Sequence, residues 1–188
     1  MKVMKPLLVL LGFLSFSATA QKMIRSVKLD SAIFNEIAKV RRENNKPSVL
    51  KFFYGKIREF SYTVTDKNCD SDYFEHSPMD STRKYCNSEC IYRFELVYGN
   101  ASEYDVELHP ESINVIAKEA VDAWMNSPDH AHALLLSWNR SFTITSQIEI
   151  AADNKSAIIS VSYHAVQHTD KLGEIPIGLH SNAAYYMK

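Results

Sequence analysis

The sequence predicts an α+β fold in which helices pack on a small antiparallel sheet. Stretches with the spacing of amphipathic helices recur in the first part of the chain. Two stretches of alternating polar and apolar residues come later, separated by a cluster of turn-forming residues. Helices in one part of a chain and a hairpin in another are typical of α+β domains. Because we find no internal repeat and no Pro/Gly-rich linker, we expect one domain over residues 21–188.

Residues 1–20 predict a secretory signal peptide that is absent from the mature protein. They read MKVMKPLLVLLGFLSFSATA, with lysines first, an apolar run next and an Ala-Thr-Ala cleavage site last. The competing interpretation is a retained membrane anchor, but the apolar run over residues 7–16 is short for a spanning helix, which needs about 20 apolar residues. We therefore expect a secreted protein, periplasmic or extracellular, without stable membrane insertion.

The first two predicted helices lie within residues 29–45 and residues 48–65. In the first, LDSAIFNEIAKVRRENN, either Asp30 or Ser31 is expected to cap the helix. The apolar positions of this helix are Leu29, Ile33, Ile37 and Val40. The second ends in SYTVT, whose β-branched residues would also suit an extended segment.

Residues 66–114 are polar and irregular, and within them IYRFELVYG suits either a short strand or a helical turn. A third helix is predicted from ESINVIAKEAVDAWM, and Ser127 and Pro128 are typical of the cap and first position of a fourth, DHAHALLLSW. The apolar stripe of the third helix is Ile113, Ile116, Ala120 and Trp124. FTITSQIEIAA and AIISVSYHAV, around the turn at residues 153–156, predict an antiparallel hairpin.

Composition and cysteine count limit the chemistry. The net charge is −1 and basic residues do not alternate with aromatic ones, so no nucleic-acid partner is expected. None of the common phosphate-loop, zinc-protease or serine-hydrolase motifs occurs. In an exported protein, Cys69, Cys86 and Cys90 predict one disulfide and one free thiol, and all three pairings remain open. Their spacing disfavours a metal site built on these thiols.

Two of the seven histidines stand in informative contexts. His130 is the third residue of a predicted helix, where the helix dipole disfavours the imidazolium and keeps the ring neutral. His76 follows two aromatic residues in DYFEHSPMD and is expected at a loop or helix end. Taken alone, each is explained better by a structural role than by a functional one. His132 is expected at the surface and His164 as a satisfied sheet residue. The histidines without informative context are His109, His168 and His180.

Three segments in the same order resemble the CAP superfamily of cysteine-rich secretory, antigen 5 and pathogenesis-related proteins, especially its compact bacterial branch. AVDAWMNSPDHAHALL is similar to the family pattern of tryptophan, Ser-Pro, histidine and an apolar helix. YFEHSPMD is similar to an earlier Phe-x-His-Ser/Thr-x-Pro segment, and FNEIAKVRRENNKPSVL to the opening helix. The resemblance covers roughly residues 30–165.

This resemblance implies an α-β-α sandwich with a shallow cleft lined by two histidines and acidic residues. His76 and His130 fall on the two histidine positions, and Glu95 and Glu89 compete for the position of one family acid, with a slight preference for Glu95. Neither has the glycine and asparagine of the family segment. The second acid would fall near Ser127 and is absent, and Ala131 replaces the arginine that usually follows the motif histidine. The site is therefore a reduced version of the family's.

Two neutral imidazoles and one carboxylate would suit Zn²⁺ or another divalent cation. The leading hypothesis is a non-enzymatic CAP-like binding domain whose cleft holds such a metal at His76 and His130, together with a small molecule, a lipid or an extracellular protein or peptide. The alternative is a metal- or histidine-assisted hydrolase acting on peptide or cell-envelope material. A third hypothesis is an interaction module in which the two histidines only hydrogen-bond across the cleft.

Overall fold

The structure, a computed structural model, describes residues 22–51, 55–69, 74–80, 86–97, 110–137, 139, 141–151 and 156–166. The predicted signal peptide lies outside these ranges, as do His109, His168 and His180. The helices are α1 (Val27–Glu43), α2 (Gly55–Cys69), α3 (Pro110–Asn126) and α4 (Pro128–Leu135). The strands are β1 (Lys22–Arg25), β2 (Leu50–Lys51), β3 (Ser88–Val97), β4 (Ser141–Ile150) and β5 (Ser156–Val166).

The strands form one sheet in the order β1-β4-β5-β3, in which these neighbours are antiparallel. The short strand β2 pairs in parallel with the first residues of β4. Strands β4 and β5 form the predicted hairpin, with Ser141 opposite Val166 and Ile150 opposite Ala157. The predicted α+β class, with helices packed on a small antiparallel sheet, is confirmed.

The helices cover both faces of the sheet and form an α-β-α sandwich. Along β5, Tyr163 packs against Trp124 of α3 and Phe142 of β4, while the next residue, His164, bonds to Ser61 of α2. Because successive residues of a strand point to opposite faces, α3 lies on one face and α2 on the other. Residues 142–148 of β4 are consequently all buried.

The face shared with α1, α3 and α4 holds the apolar core. It joins the predicted helix stripes to alternate residues of the central strands. The fully buried side chains here include Leu29, Ile33, Ile37, Trp124, Leu134, Phe142, Ile144, Ile148, Ile159 and Tyr163. The indole Nε1 of Trp124 donates to the carbonyl of Ile91 at 2.9 Å, so α3 is fixed to β3 by a buried hydrogen bond as well as by packing.

The face under α2 is lined with polar side chains, most of them serine and threonine, that are equally buried. Its buried members are Ser61, Thr65, Asn68, Thr143, Thr145, Gln147, Ser160, Ser162 and His164. Ser61 Oγ and Thr145 Oγ1 lie 2.6 Å apart, and Thr65 Oγ1 lies 2.6 Å from the same Thr145 oxygen. Alternation alone would leave this side of the hairpin in solvent, but Thr145, Ser162 and His164 are hydrogen-bonded to side chains of α2.

Several sequence predictions need correction at the ends of elements. Helix α1 is capped by Ser26, whose hydroxyl accepts from Leu29 N at 3.2 Å, and not by Asp30 or Ser31. Asp30 is instead buried and accepts from Ser146 Oγ at 2.6 Å. Helix α2 begins at Gly55 and not near residue 48, because Leu50–Lys51 pairs with β4. IYRFELVYG belongs to a strand, β3, up to Val97.

The disulfide predicted from the sequence is not formed, since Cys69, Cys86 and Cys90 are all free and buried. Cys69 ends α2 and donates to the Gln147 carbonyl at 3.4 Å, whereas Cys90 lies opposite Tyr163 on the other face of the sheet. A disulfide between these two would have to cross the sheet. Burial raises the pKa of the Cys69 thiol to about 12, so this thiol stays protonated at neutral pH.

No helix within the described ranges is long and apolar enough to cross a membrane.

Candidate functional site

Four side chains from separate parts of the sequence meet at the start of β3. His76 Nδ1 lies 2.9 Å from Glu89 Oε1, and His76 Nε2 lies 3.3 Å from His130 Nε2. On the other oxygen of the same carboxylate, His164 Nε2 lies 2.9 Å from Glu89 Oε2. The order of contacts is therefore His130, His76, Glu89 and His164, running from the surface into the fold.

Glu89 is placed by strand alternation. It pairs with His164 of β5, so its side chain shares the face covered by α2. The adjacent Cys90 points to the other face, where its sulfur lies 4.0 Å from the backbone carbonyl of His130. The site thus lies where the two helical layers meet beside β3, which ends the order of the described strands.

His76 is held by the segment that follows α2. The buried side chain of Asn68 accepts from Glu75 N at 2.9 Å and donates to the Glu75 carbonyl at 3.2 Å. The same Asn68 amide also donates to the Val64 carbonyl at 3.0 Å, inside α2. One residue later, Ser77 N donates to Glu89 Oε1 at 2.8 Å. Backbone contacts on both sides of His76 therefore fix its position, while half of its side chain stays exposed.

His130 is the third residue of α4, as the sequence predicts. Ser127 has the extended backbone of an N-cap, although its side chain makes no capping hydrogen bond. The other end of α4 is held by the buried guanidinium of Arg41, which donates to the carbonyls of Leu134 and Leu136. A cation at the carboxyl end of a helix is favourable for the helix dipole. Arg41 of α1 therefore anchors the short helix that carries His130.

His164 extends the cluster into the polar layer under α2. Its side chain is fully buried, and its ring lies edge-on to Phe60 with centroids 5.1 Å apart. Nδ1 of His164 lies 2.9 Å from Ser61 Oγ. From Ser61 the series of hydrogen bonds continues through Thr145 to Thr65. Both ring nitrogens of His164 are therefore hydrogen-bonded, one to a carboxylate and one to a hydroxyl.

The protonation states follow from these contacts. Burial raises the pKa of Glu89, but hydrogen bonds from His164, His76 and Ser77 outweigh it and hold this pKa well below its ordinary value. Burial lowers the pKa of His164 more than Glu89 raises it, so His164 is neutral at pH 7. An ionised Glu89 only accepts, so His164 donates from Nε2 and His76 donates from Nδ1. With the His76 proton on Nδ1 alone, this ring presents an unprotonated Nε2 to Nε2 of His130.

The electrostatics of His130 agree with a neutral ring. Burial lowers the pKa of His130, and the neighbouring His76 lowers it further, against the weaker opposing effects of Asp129 and Glu89. The dipole of α4 acts in the same direction, because His130 lies in the first turn of this helix. Two imidazoles that face each other through their Nε2 atoms can share one proton in an N–H···N hydrogen bond, or both can bind a cation through these atoms.

The histidine pair fits a metal ion with two protein ligands. Nitrogen atoms bound to one tetrahedral zinc ion at about 2.1 Å lie about 3.4 Å apart, and the Nε2 atoms of His76 and His130 are 3.3 Å apart. Glu89 contacts the other ring nitrogen of His76, so it would orient His76 and would not bind the ion itself. Within the described ranges no group of three His, Cys, Asp or Glu side chains is placed to hold a metal. Remaining positions would fall to water or to a bound molecule.

The structure does not bring Glu95, the preferred acid of the sequence analysis, to the histidines. Glu95 lies six residues along β3 from Glu89, about 20 Å away in an extended strand. Its side chain is 64% exposed and pairs with Arg93 at 3.4 Å. Glu89, the second candidate, is the acid that contacts His76. His132 is exposed, as expected.

His164 and Ser61 are the members of the cluster that sequence reasoning missed. His164 was expected to be a satisfied sheet residue, and its connection to the other histidines depends on the pairing of β5 with β3. A signal was nevertheless present in the hairpin. The polar positions from Thr143 to Gln147 and from Ser160 to His164 carry no formal charge, unlike a typical solvent-facing strand.

Comparisons with known proteins assign no family to this chain. No protein-family model matches it, and neither does any curated protein. Among solved structures, an outer surface protein from Borrelia burgdorferi is similar, with a TM-score of 0.45 and 17% sequence identity. The similarity covers 79% of this chain and 99% of that one. At this level it establishes neither a family nor an activity, so the resemblance to the CAP superfamily stays a prediction.

Proposed function

We propose that this protein is a secreted, CAP-like binding domain in which His76 and His130 hold a divalent cation and, through it, a ligand. The observation that carries the proposal is the 3.3 Å separation of the two Nε2 atoms. This distance suits two ligands of one tetrahedral ion. The zinc-type preference follows from the imidazole donors, since Mg²⁺ prefers oxygen ligands.

The surroundings of the pair support binding. His76 is half exposed and His130 is partly exposed, so a cation and its ligand can approach from solvent. A metal-bound histidine usually donates its other N–H to a carboxylate or carbonyl, and Glu89 provides this contact for His76. Phe74 and Met79 are exposed on either side of His76 in sequence, which supports a ligand with an apolar portion.

Isothermal titration with Zn²⁺ tests the proposal. The purified protein is expected to bind one equivalent, and His76→Ala and His130→Ala are each expected to weaken binding by about tenfold or more, because each removes one of two protein ligands. His132→Ala is the matched control, since His132 is exposed on the same helix two residues away. Unchanged binding in both site variants would remove this pair as the metal site.

The same titration separates the interaction-module hypothesis, in which His130 and His76 share an N–H···N hydrogen bond. In that case the titration shows no heat of zinc binding that is lost in His76→Ala or His130→Ala. Under the hydrolase hypothesis, Ser61 cannot be the nucleophile. Although Ser61, His164 and Glu89 are hydrogen-bonded in series, Ser61 is fully buried and could not reach a substrate. A hydrolase would therefore depend on metal-bound water, and turnover of a peptide library that is lost in His130→Ala would support it.

A further inference from the structure

We infer that His164 and Ser61 are positioning residues for this site: from inside the fold, they hold the carboxylate of Glu89 in the orientation that leaves Nε2 of His76 free to bind. The consequence for binding rests on the proposed function, whereas the effect on His76 can be measured without any ligand. His164 contacts neither a cation nor a ligand in this arrangement. It acts only through Glu89.

The contacts on Glu89 are divided between its two oxygens. Oε1 accepts from His76 Nδ1 at 2.9 Å and from Ser77 N at 2.8 Å, while Oε2 accepts from His164 Nε2 at 2.9 Å. A carboxyl group turns easily about its last bond, because that torsion is broad. Donors on both oxygens fix the plane of the group. Without the donor on Oε2, only Ser77 N would remain to hold the carboxylate beside His76.

His164 is held by contacts around its whole ring. Its side chain is fully buried on β5, whose neighbours in the sheet are β3 and β4. The ring is edge-on to Phe60, and its Nδ1 is tied to Ser61 Oγ at 2.9 Å. Ser61 is itself 2.6 Å from Thr145 Oγ1. Since Nε2 of His164 must donate to the ionised Glu89, Ser61 donates to Nδ1 and accepts from Thr145.

The position of the Glu89 carboxylate decides the tautomer of a neutral His76. A neutral histidine in water carries its proton mainly on Nε2, which would block this atom as a ligand. The fixed carboxylate of Glu89 instead draws the proton to Nδ1, since the hydrogen bond made by one ring nitrogen decides the state of the other. His164 and Ser61 therefore prepare the exposed face of His76 before any ligand arrives.

Nitrogen-15 NMR of the imidazole of His76 in the metal-free protein, at a pH where the ring is neutral, tests this inference. The unsubstituted protein is expected to show the Nδ1–H tautomer. His164→Phe, which removes the donor to Oε2 but keeps a buried ring, is expected to shift His76 towards the Nε2–H tautomer. His164→Gln, whose amide can donate to Oε2, is expected to restore the Nδ1–H form. Ser160→Ala, in the same buried layer on the same strand, is the control.

Zinc titration of the same variants adds a second measurement. Glu89→Ala removes the group that orients His76 and is expected to weaken zinc binding by about tenfold or more. His164→Phe is expected to weaken zinc binding by less, because it acts through Glu89. In a Glu89→Ala background, His164→Phe is expected to have no further effect, because its influence passes through Glu89. Additive losses in the double variant would overturn the inference and indicate a general structural role.

The outcomes separate this inference from the proposed function. If the unsubstituted protein binds no zinc, the proposed function fails, and the tautomer of His76 still decides the positioning role. A His76 spectrum unchanged by His164→Phe overturns the inference, whatever the zinc titration shows. Should His164→Phe fail to fold, Ser61→Ala provides the test. It removes only the hydroxyl on Nδ1 and is expected to shift His76 in the same direction by less, and no shift would overturn the inference.

Discussion

Replacing Glu89 with alanine is expected to destabilise the protein by about 3 kcal/mol, although a buried carboxylate is often a liability. Only 4% of the Glu89 side chain is exposed, and its two oxygens accept from three N–H groups. Alanine removes the acceptor and leaves the donors in place. The loss is therefore governed by which donors can turn to water.

The magnitude follows from the three donors. The Nε2–H of His164 is fully buried and would be left without an acceptor, which costs about 1–3 kcal/mol. The partly buried Ser77 N–H adds about 1 kcal/mol more. His76 is half exposed and can bond to water, so it adds little. Glu89→Gln is expected to cost only about 1 kcal/mol, because its amide oxygen keeps the contacts with His76 and Ser77. Its amide NH2 can donate to Nε2 of His164 if His164 switches tautomer and Ser61 reverses its hydroxyl.

Urea unfolding followed by circular dichroism measures this difference. With a slope of about 2 kcal/mol per molar urea, Glu89→Ala should lower the midpoint by about 1.5 M and Glu89→Gln by about 0.5 M. Glu95→Ala is the control, since Glu95 is exposed on the same strand and should change stability by less than about 0.5 kcal/mol. The reasoning is refuted if Glu89→Ala behaves like this control, or if alanine and glutamine are equally destabilising.

Acid is expected to destabilise the fold below the ordinary histidine pKa of 6.5, by up to about 1.4 kcal/mol per pH unit. Burial lowers the pKa of His164, so the unfolded chain binds a proton that the folded chain excludes; a urea midpoint that does not change between pH 5 and 7 would contradict this. Arg41→Ala should cost about 3 kcal/mol by removing the donors at the end of α4, whereas thermal unfolding of Arg42→Ala, an exposed neighbour, should stay near that of the unsubstituted protein. The three buried thiols should react with a disulfide reagent only slowly in the folded protein and completely in denaturant, and fast native labelling of even one would contradict their burial.

The helices and the hairpin could be predicted because their signals are local. The stripe ending at Trp124 and the alternation in the two long strands each repeat often enough to determine an element, and both lie where expected. The misplaced boundaries depend on distant partners. Leu50–Lys51 is a strand only because β4 passes beside it, and the four-residue strand β1 was not predicted because it, too, exists through pairing with β4. Asp30, which was expected to cap α1, instead makes a buried contact with Ser146.

The candidate site was predictable in part for the same reason. His76 and His130 stand in segments with recognisable local patterns, and the structure brings their Nε2 atoms to 3.3 Å. The choice between Glu89 and Glu95 depended on strand register, because both point to the same face of β3 and only Glu89 lies opposite His164. The register between β3 and β5 could not be predicted from the sequence.

The polar layer under α2 gives the site its dependence on the fold. A layer of serine and threonine contributes less stability than a well-packed apolar one, because each buried hydroxyl must keep a partner. Here His164 of this layer donates to the carboxylate of Glu89. That carboxylate is almost fully buried, yet it contacts the half-exposed His76. An apolar layer would leave the ionised Glu89 with fewer donors and a less favourable position. Ser61, and Thr145 through it, therefore support Glu89 from inside the fold by way of His164, which links the surface histidine pair to the polar layer under α2.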